Sequence, residues 1–377
     1  MIIKNGFVFQ ENKCFQVCDL YIEQGRIVSD ITQVSDATVI NAEDMLVLPG
    51  LIDIHSHGAV GYDFSDGDMK GLEKILTYQY DNGVTSYCPT TMTLPKEKLL
   101  KIYHNIRNCN VNRVRENDHG SHGMSRIAGI HMEGPFLDPV KKGAHQEVNI
   151  LPPDVRFFQE CNAACGNLIR LITLAPNMDG ALDFIKEVKD VTTVSLGHSS
   201  ADYRTAKAAF QAGASHVTHL FNAMNQLGHR EPGLIGAAAE NENCMAELIC
   251  DGVHVHESVI RAAFRLFPGR IILISDSMRA AGMGEGVYEL GGQQVTVKEN
   301  RALLPDGTIA GSVTNLYDCM RNAVSYGIPL EEAVAAATMN PAKSIGIFHE
   351  VGSLTPGKRA DVILTDKNLN LLRVIAF

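Results

Sequence analysis

Eight short apolar runs, alternating with amphipathic stretches and lying between two strand-rich ends, predict an α/β fold: a (β/α)8 TIM-like barrel with a small β-sandwich domain built from both chain termini. The runs are "LIDIHSHG", "GVTSYCPT", "RIAGIHMEGP", "IRLITLAP", "TTVSLGHS", "SHVTHLFN", "AELICDGVH" and "RIILISDS". Each is short enough for a buried strand and ends in polar or glycine residues. Between them, "ADYRTAKAAFQAGA" and "HESVIRAAFRLF" carry apolar residues at i, i+3 and i+4, the spacing of a helix with one buried face.

The first ~48 residues contain "MIIKNGFVFQ", "VCDLYIEQGRIV" and "ATVINAEDMLVL", strand-like pieces separated by polar turns. The last ~25 residues, "GSLTPGKRADVILTD" and "LNLLRVIAF", have the same character. Residues 1–49 together with 343–377 are therefore expected to form the β domain, and residues 50–342 the barrel. After the eighth run, "YELGGQQVTVKENRALLPDGTIAG" reads as a hairpin-like insertion. The polar segment "HNIRNCNVNRVRENDHGSHGMSR" reads as a connection, with His119 and His122 solvated in it.

A chain of 377 residues accommodates one large barrel plus an appendage, and 45% hydrophobic with 20% charged residues is a globular mixture. The net charge of −10 argues against nucleic-acid or anionic-membrane partners, so an anionic substrate would have to be held by a few local cations. The nine cysteines include no CxxC pair; they fit reduced thiols. No stretch approaches the ~18–20 apolar residues of a membrane span, and the N-terminus lacks an apolar signal core. A cytoplasmic location is expected.

Function in such a barrel collects where the strands end. His55 and His57 close the first run, His131 and Glu133 the third, and His198 the fifth. His219 and Asn222 close the sixth, Asp251 and His254 the seventh, and Asp276 the eighth. Residues two apart on a strand share a face, so His55 and His57 can both face the barrel mouth. Each alone fits a structural role, since buried histidines are often bonded to backbone. Their shared position at strand ends points instead to imidazoles and carboxylates converging on a divalent cation. His256 follows His254 in "VHVH" but opens a helix, and is read as surface or structural; Lys141 and Lys142 are read as a solvated loop pair.

The motifs "PGLIDIHSHG", "HMEGPFLDPVKKGAH", "SLGHS", "THLFNAMNQLGHREPGLIGA", "CDGVHVH", "ISDS" and "DGTIAGS" together resemble the N-acetylglucosamine-6-phosphate deacetylase family of the amidohydrolase superfamily. The resemblance spans essentially the whole chain. It implies hydrolysis of the acetamide of an amino-sugar phosphate, with Glu133, His198 and His219 holding the principal divalent ion, zinc or a similar metal. Some bacterial members replace both first-strand histidines; this chain keeps His55 and His57, which with Asp276 are expected to serve a second ion. Asp276 is expected as the general acid–base, and His145 as the donor to the substrate carbonyl. Substrate contacts are expected from Arg230 and His254 at the phosphate, and from Ala144, Asn222, Ala223, Ile309, Ala310 and Gly311. A homodimer is implied, because in this family a neighbouring subunit can supply phosphate contacts. Alternatives are the same reaction on the galacto epimer, a cyclic-amide hydrolase, or a catalytically silent barrel.

Overall fold

The computed structural model describes residues 1–35, 38–108 and 123–377. Most of the polar connection, including His119 and His122, lies outside them.

Eight parallel strands follow one another in sequence order: Leu51–Ser56, Val84–Thr91, Ile130–Glu133, Ile169–Leu174, Thr193–Leu196, His216–Val217, Met245–Ile249 and Ile271–Ile274. All are almost wholly buried, as strands covered by helices on one side and enclosing a core on the other must be. The sheet closes on itself just past the last strand. There the Asp276 N–H donates to the His55 carbonyl at 2.9 Å and the His57 N–H to the Ser277 carbonyl at 2.8 Å.

Several helices start at side-chain caps that the sequence supplies. Asp202 accepts from the Thr205 N–H to open Tyr203–Ala212, and the exposed His256 accepts from the Ser258 N–H to open Glu257–Leu266. A glycine is required at one strand entrance: a Cβ on Gly50 would lie 2.2 Å from Thr85 Oγ1.

Seven strands from the two ends form one mixed sheet. Ile2–Phe9 pairs antiparallel with Phe15–Glu23 and parallel with Val39–Asn41 and Leu46–Pro49. Phe15–Glu23 also pairs antiparallel with Arg26–Val28, and Val362–Thr365 joins Leu46–Pro49 to Leu371–Ile375. This sheet has its own buried cluster, in which Ile3, Val8, Ile22 and Val47 meet Val362 and Leu364. The insertion after the eighth strand is an antiparallel meander of Gly286–Leu290, Gln293–Lys298 and Arg301–Leu303. Gln146 Nε2 donates to the Gly291 carbonyl at 2.7 Å and Gln293 Nε2 to the Ala144 carbonyl at 2.5 Å. The meander is thereby laced to the loop that carries His145.

Candidate active site

A cavity of about 450 Å³ opens at the C-terminal ends of the barrel strands. Glu133 is its centre. Its Oε1 lies 3.2 Å from His198 Nε2, 3.2 Å from His219 Nε2 and 3.4 Å from His55 Nε2. Its Oε2 lies 3.2 Å from His57 Nε2 and 3.4 Å from His145 Nε2. Asp276 Oδ1 stands 3.3 Å from His57 Nε2 and 3.6 Å from His55 Nε2. Five histidines and two carboxylates thus converge from strands one, three, five, six and eight and from the loop after strand three.

The backbone is strained to achieve this. His198, His219 and Asp276 have φ of 46°, 29° and 46°, and Ala223 has 50°. These are left-handed values that cost such residues energy and cluster where a side chain must be aimed. The sixth strand is accordingly shorter than "SHVTHLFN" suggests, because the chain leaves the pleat to turn His219 inward.

Buried carboxylates with no lysine or arginine beside them create a demand for positive charge. Among the described residues, the ion pairs of Glu133 are all with histidines. Burial opposes a charge on His57, but Asp276 and Glu133 overcome it and hold the ring up to about 10. Burial likewise opposes ionisation of Asp276, yet the histidines at 55 and 57 bring it down to about 2. His198 is the opposite case: burial lowers it to about 4, leaving a neutral ring with a lone pair to offer. Glu133, His198 and His219 present ligand atoms within 4.8 Å of one another, as do His55, His57 and Glu133. His55 Nε2 is buried with no hydrogen-bond partner. The donor set fits a divalent ion: a cation would satisfy the orphaned nitrogen and replace the proton that the carboxylates otherwise hold on His57.

His145 is tautomerically defined. Its Nδ1 accepts from the Thr93 backbone N–H at 3.2 Å, so in the neutral ring the proton sits on Nε2, facing the site. His254 lines the cavity with its Nδ1 donating to Asp251 Oδ2 at 2.7 Å. Ala144, Asn222, Ala223, Ile309 and Gly311 also line it, whereas Ala310 is fully buried behind. Arg230 is exposed and outside this chain's cavity. The two lysines differ from expectation: Lys141 and Lys142 are half-buried and line the mouth, because Gly143, at φ 54°, curls their loop over it. Lys141 Nζ donates to the Met224 carbonyl at 3.4 Å, and Lys142 pairs with Glu147 at 3.2 Å.

Sequence reasoning misses the layer below. Inside the barrel Glu247 contacts His55 and His216, and beside them His131, Thr173, Thr218 and Ser195 form a hydrogen-bonded row. A carboxylate inside the apolar run "MAELIC" is the one signal of it in the sequence.

A (β/α)8 barrel whose strand ends gather histidines and carboxylates around a cavity defines a metal-dependent hydrolase. Residues 46–377 match the family model described as "Amidohydrolase family". The chain belongs to the amidohydrolase family, within the branch formed by the N-acetylglucosamine-6-phosphate deacetylases and their galactosamine counterparts. It is 36% identical to the N-acetylglucosamine-6-phosphate deacetylase of Bacillus subtilis, across 100% of this chain and 95% of that protein. It is 34% identical to the N-acetylgalactosamine-6-phosphate deacetylase of Escherichia coli O157:H7, across 87% and 86%. The Mycobacterium smegmatis N-acetyl-D-glucosamine-6-phosphate deacetylase, solved in complex with N-acetyl-D-glucosamine-6-phosphate, superposes with a TM-score of 0.89 at 32% identity, covering 100% and 97%.

Proposed function

We propose that this protein hydrolyses the acetamide of N-acetyl-D-glucosamine 6-phosphate to D-glucosamine 6-phosphate and acetate. The observation that carries the reading is the gathering of Glu133, His198 and His219 with Asp276 and His145 around one cavity. Glu133, His198 and His219 are the residues to hold the principal ion, and His55 and His57, with Asp276, those for a second; zinc is the metal we assign. A divalent ion there supplies Lewis acidity, polarising the acetamide carbonyl and making water easier to deprotonate near neutral pH.

The chain's own groups do the rest. Asp276, ionised at neutral pH, takes a proton from the attacking water and delivers it to the nitrogen as the C–N bond breaks. The C–O bond that forms leaves acetate, and the sugar departs as the amine. His145, with its proton on Nε2, donates to the carbonyl oxygen as negative charge develops there. Ala144, Asn222, Ala223, Ile309 and Gly311 belong to the substrate-binding walls, with His254 at the phosphate; Ala310, buried behind the wall, is not a contact.

Arg230, exposed and away from its own cavity, suits a phosphate held by a neighbouring subunit, which makes a homodimer part of this reading. Among the described residues no helix is long and apolar enough to cross a membrane, and the eight described cysteines are free thiols. Both observations support the cytoplasm as the place of action. We assign residues 1–49 with 343–377 to one unit and 50–342 to the other.

Acetate release by the zinc-supplemented protein tests the proposal, with the galacto epimer and the unphosphorylated sugar alongside. Release from the gluco phosphate alone supports it. Comparable release from the epimer, which the similarity to the galactosamine enzyme favours as a second reading, widens the substrate range. No release from any of them refutes it.

A further inference from the structure

The seventh strand sends Glu247 into the barrel, fully buried beneath the site and absent from the cavity wall. A buried carboxylate is expensive unless its oxygens are used, and here Oε2 takes two hydrogen bonds while Oε1 has an ion-pair contact only. Oε2 accepts from His55 Nδ1 at 2.9 Å and from the backbone N–H of His219 at 3.1 Å. Oε1 lies 3.3 Å from His216 Nε2, whose Nδ1 is 2.7 Å from Ser344 Oγ. The backbone joins in, since the Glu247 carbonyl accepts the Leu220 N–H at 2.8 Å.

Two consequences follow from one oxygen. Accepting from Nδ1 fixes the proton of a neutral His55 there, which leaves Nε2 as a lone pair facing Glu133 and Asp276. Accepting from the His219 N–H braces a residue held at φ 29°, a conformation that persists only when its surroundings enforce it. Glu247 is therefore the point where the first-strand and sixth-strand members of the cluster meet, although 192 residues separate it from His55.

We propose that Glu247 is a positioning residue that sets the aim of both His55 and His219 and thereby controls how tightly the cluster holds its metal. The proposal rests on the metal-dependent deacetylase reading. Groups that orient a metal-ligating histidine typically govern affinity by ~10–100-fold. Glu247→Leu removes the acceptor, and zinc affinity should fall by about that factor in competition with a chromophoric chelator. Glu247→Gln keeps an amide oxygen able to accept from both N–H groups, and should recover most of the loss. In Glu247→Leu kcat should drop, and in Glu247→Gln it should largely recover, while KM stays near the wild-type value in both because Glu247 does not line the cavity.

Zinc affinity in Glu247→Leu equal to wild type, at a temperature where circular dichroism shows both proteins folded, overturns the proposal and leaves the deacetylase reading standing. Equal losses in the Leu and Gln variants overturn it too, since the acceptor would then be irrelevant. A wild type that binds no zinc overturns the proposal together with the reading beneath it. Should the Leu variant not fold, Glu247→Asp withdraws the acceptor by about one methylene while keeping the charge, and carries the same expected and overturning results.

Discussion

The Nε2 atoms of His198 and His219 lie 2.9 Å apart, and each is 3.2 Å from the same oxygen of Glu133. Ring nitrogens this close share either a proton or a cation, and burial holds His198 down to about 4, against the proton. Chelation should therefore abolish acetate release, and stoichiometric zinc should restore it. Metal analysis alongside the assay checks the pair; full activity in rigorously metal-free protein would exclude the ion from the reaction.

Asp276→Asn keeps the shape and removes the base. Its kcat should fall by about 10²–10⁴, with little change in KM or in zinc bound at Glu133, His198 and His219. Turnover near the wild-type rate would take Asp276 out of proton transfer.

The Thr93 backbone fixes the tautomer of His145, and with it a donor aimed into the cavity. His145→Leu should lose about 10²–10³ in kcat, the usual cost of one oxyanion donor. Steady-state kinetics decide this: a rise in KM alone would make His145 a substrate-binding group only.

Burial works against a charge on His254, but its hydrogen bond to Asp251 prevails and raises the ring above its ordinary 6.5. The cationic form is thus present below that raised value and is lost as pH rises through it. The KM for the phosphorylated sugar should climb on the alkaline side. In Asp251→Asn, which removes the raising partner, the climb should begin at lower pH. The unphosphorylated sugar, run as a control, should show no such dependence.

Arg230 is exposed and outside its own cavity. If it serves a neighbour, Arg230→Ala should raise KM for the phosphorylated sugar. Mixing Arg230→Ala with Asp276→Asn subunits should then regenerate one competent site per heterodimer. Mixtures no more active than the sum of their parts would confine Arg230 to a role within its own subunit.

Much of the fold and the site is legible in the sequence. The (β/α) rhythm marks the eight strands, and their polar endings name Glu133, His198, His219, His55, His57 and Asp276, because strand ends in such a barrel face one mouth. The readings of His145 and Arg230, and of Ala144, Asn222, Ala223, Ile309, Ala310 and Gly311 as substrate contacts, come from motif resemblance and from the chemistry a phosphate needs. Glu247 escapes a sequence reading because an isolated carboxylate in an apolar run has no period to flag it. Lys141 and Lys142 are misplaced by it because the curl imposed at Gly143 is a property of the loop's path and leaves no mark on composition.

By itself, then, the sequence determined the order of elements and the chemistry arriving at each strand end, since apolar periodicity and polar punctuation are local properties of the chain. The tertiary structure alone decided which atoms face which: the shared oxygen of Glu133, the tautomer of His145, and the brace from Glu247 to His55 and His219. Those relationships exist only once the sheet closes and brings the first strand against the last. Closure is a long-range packing event, governed by how all eight strands fill one interior.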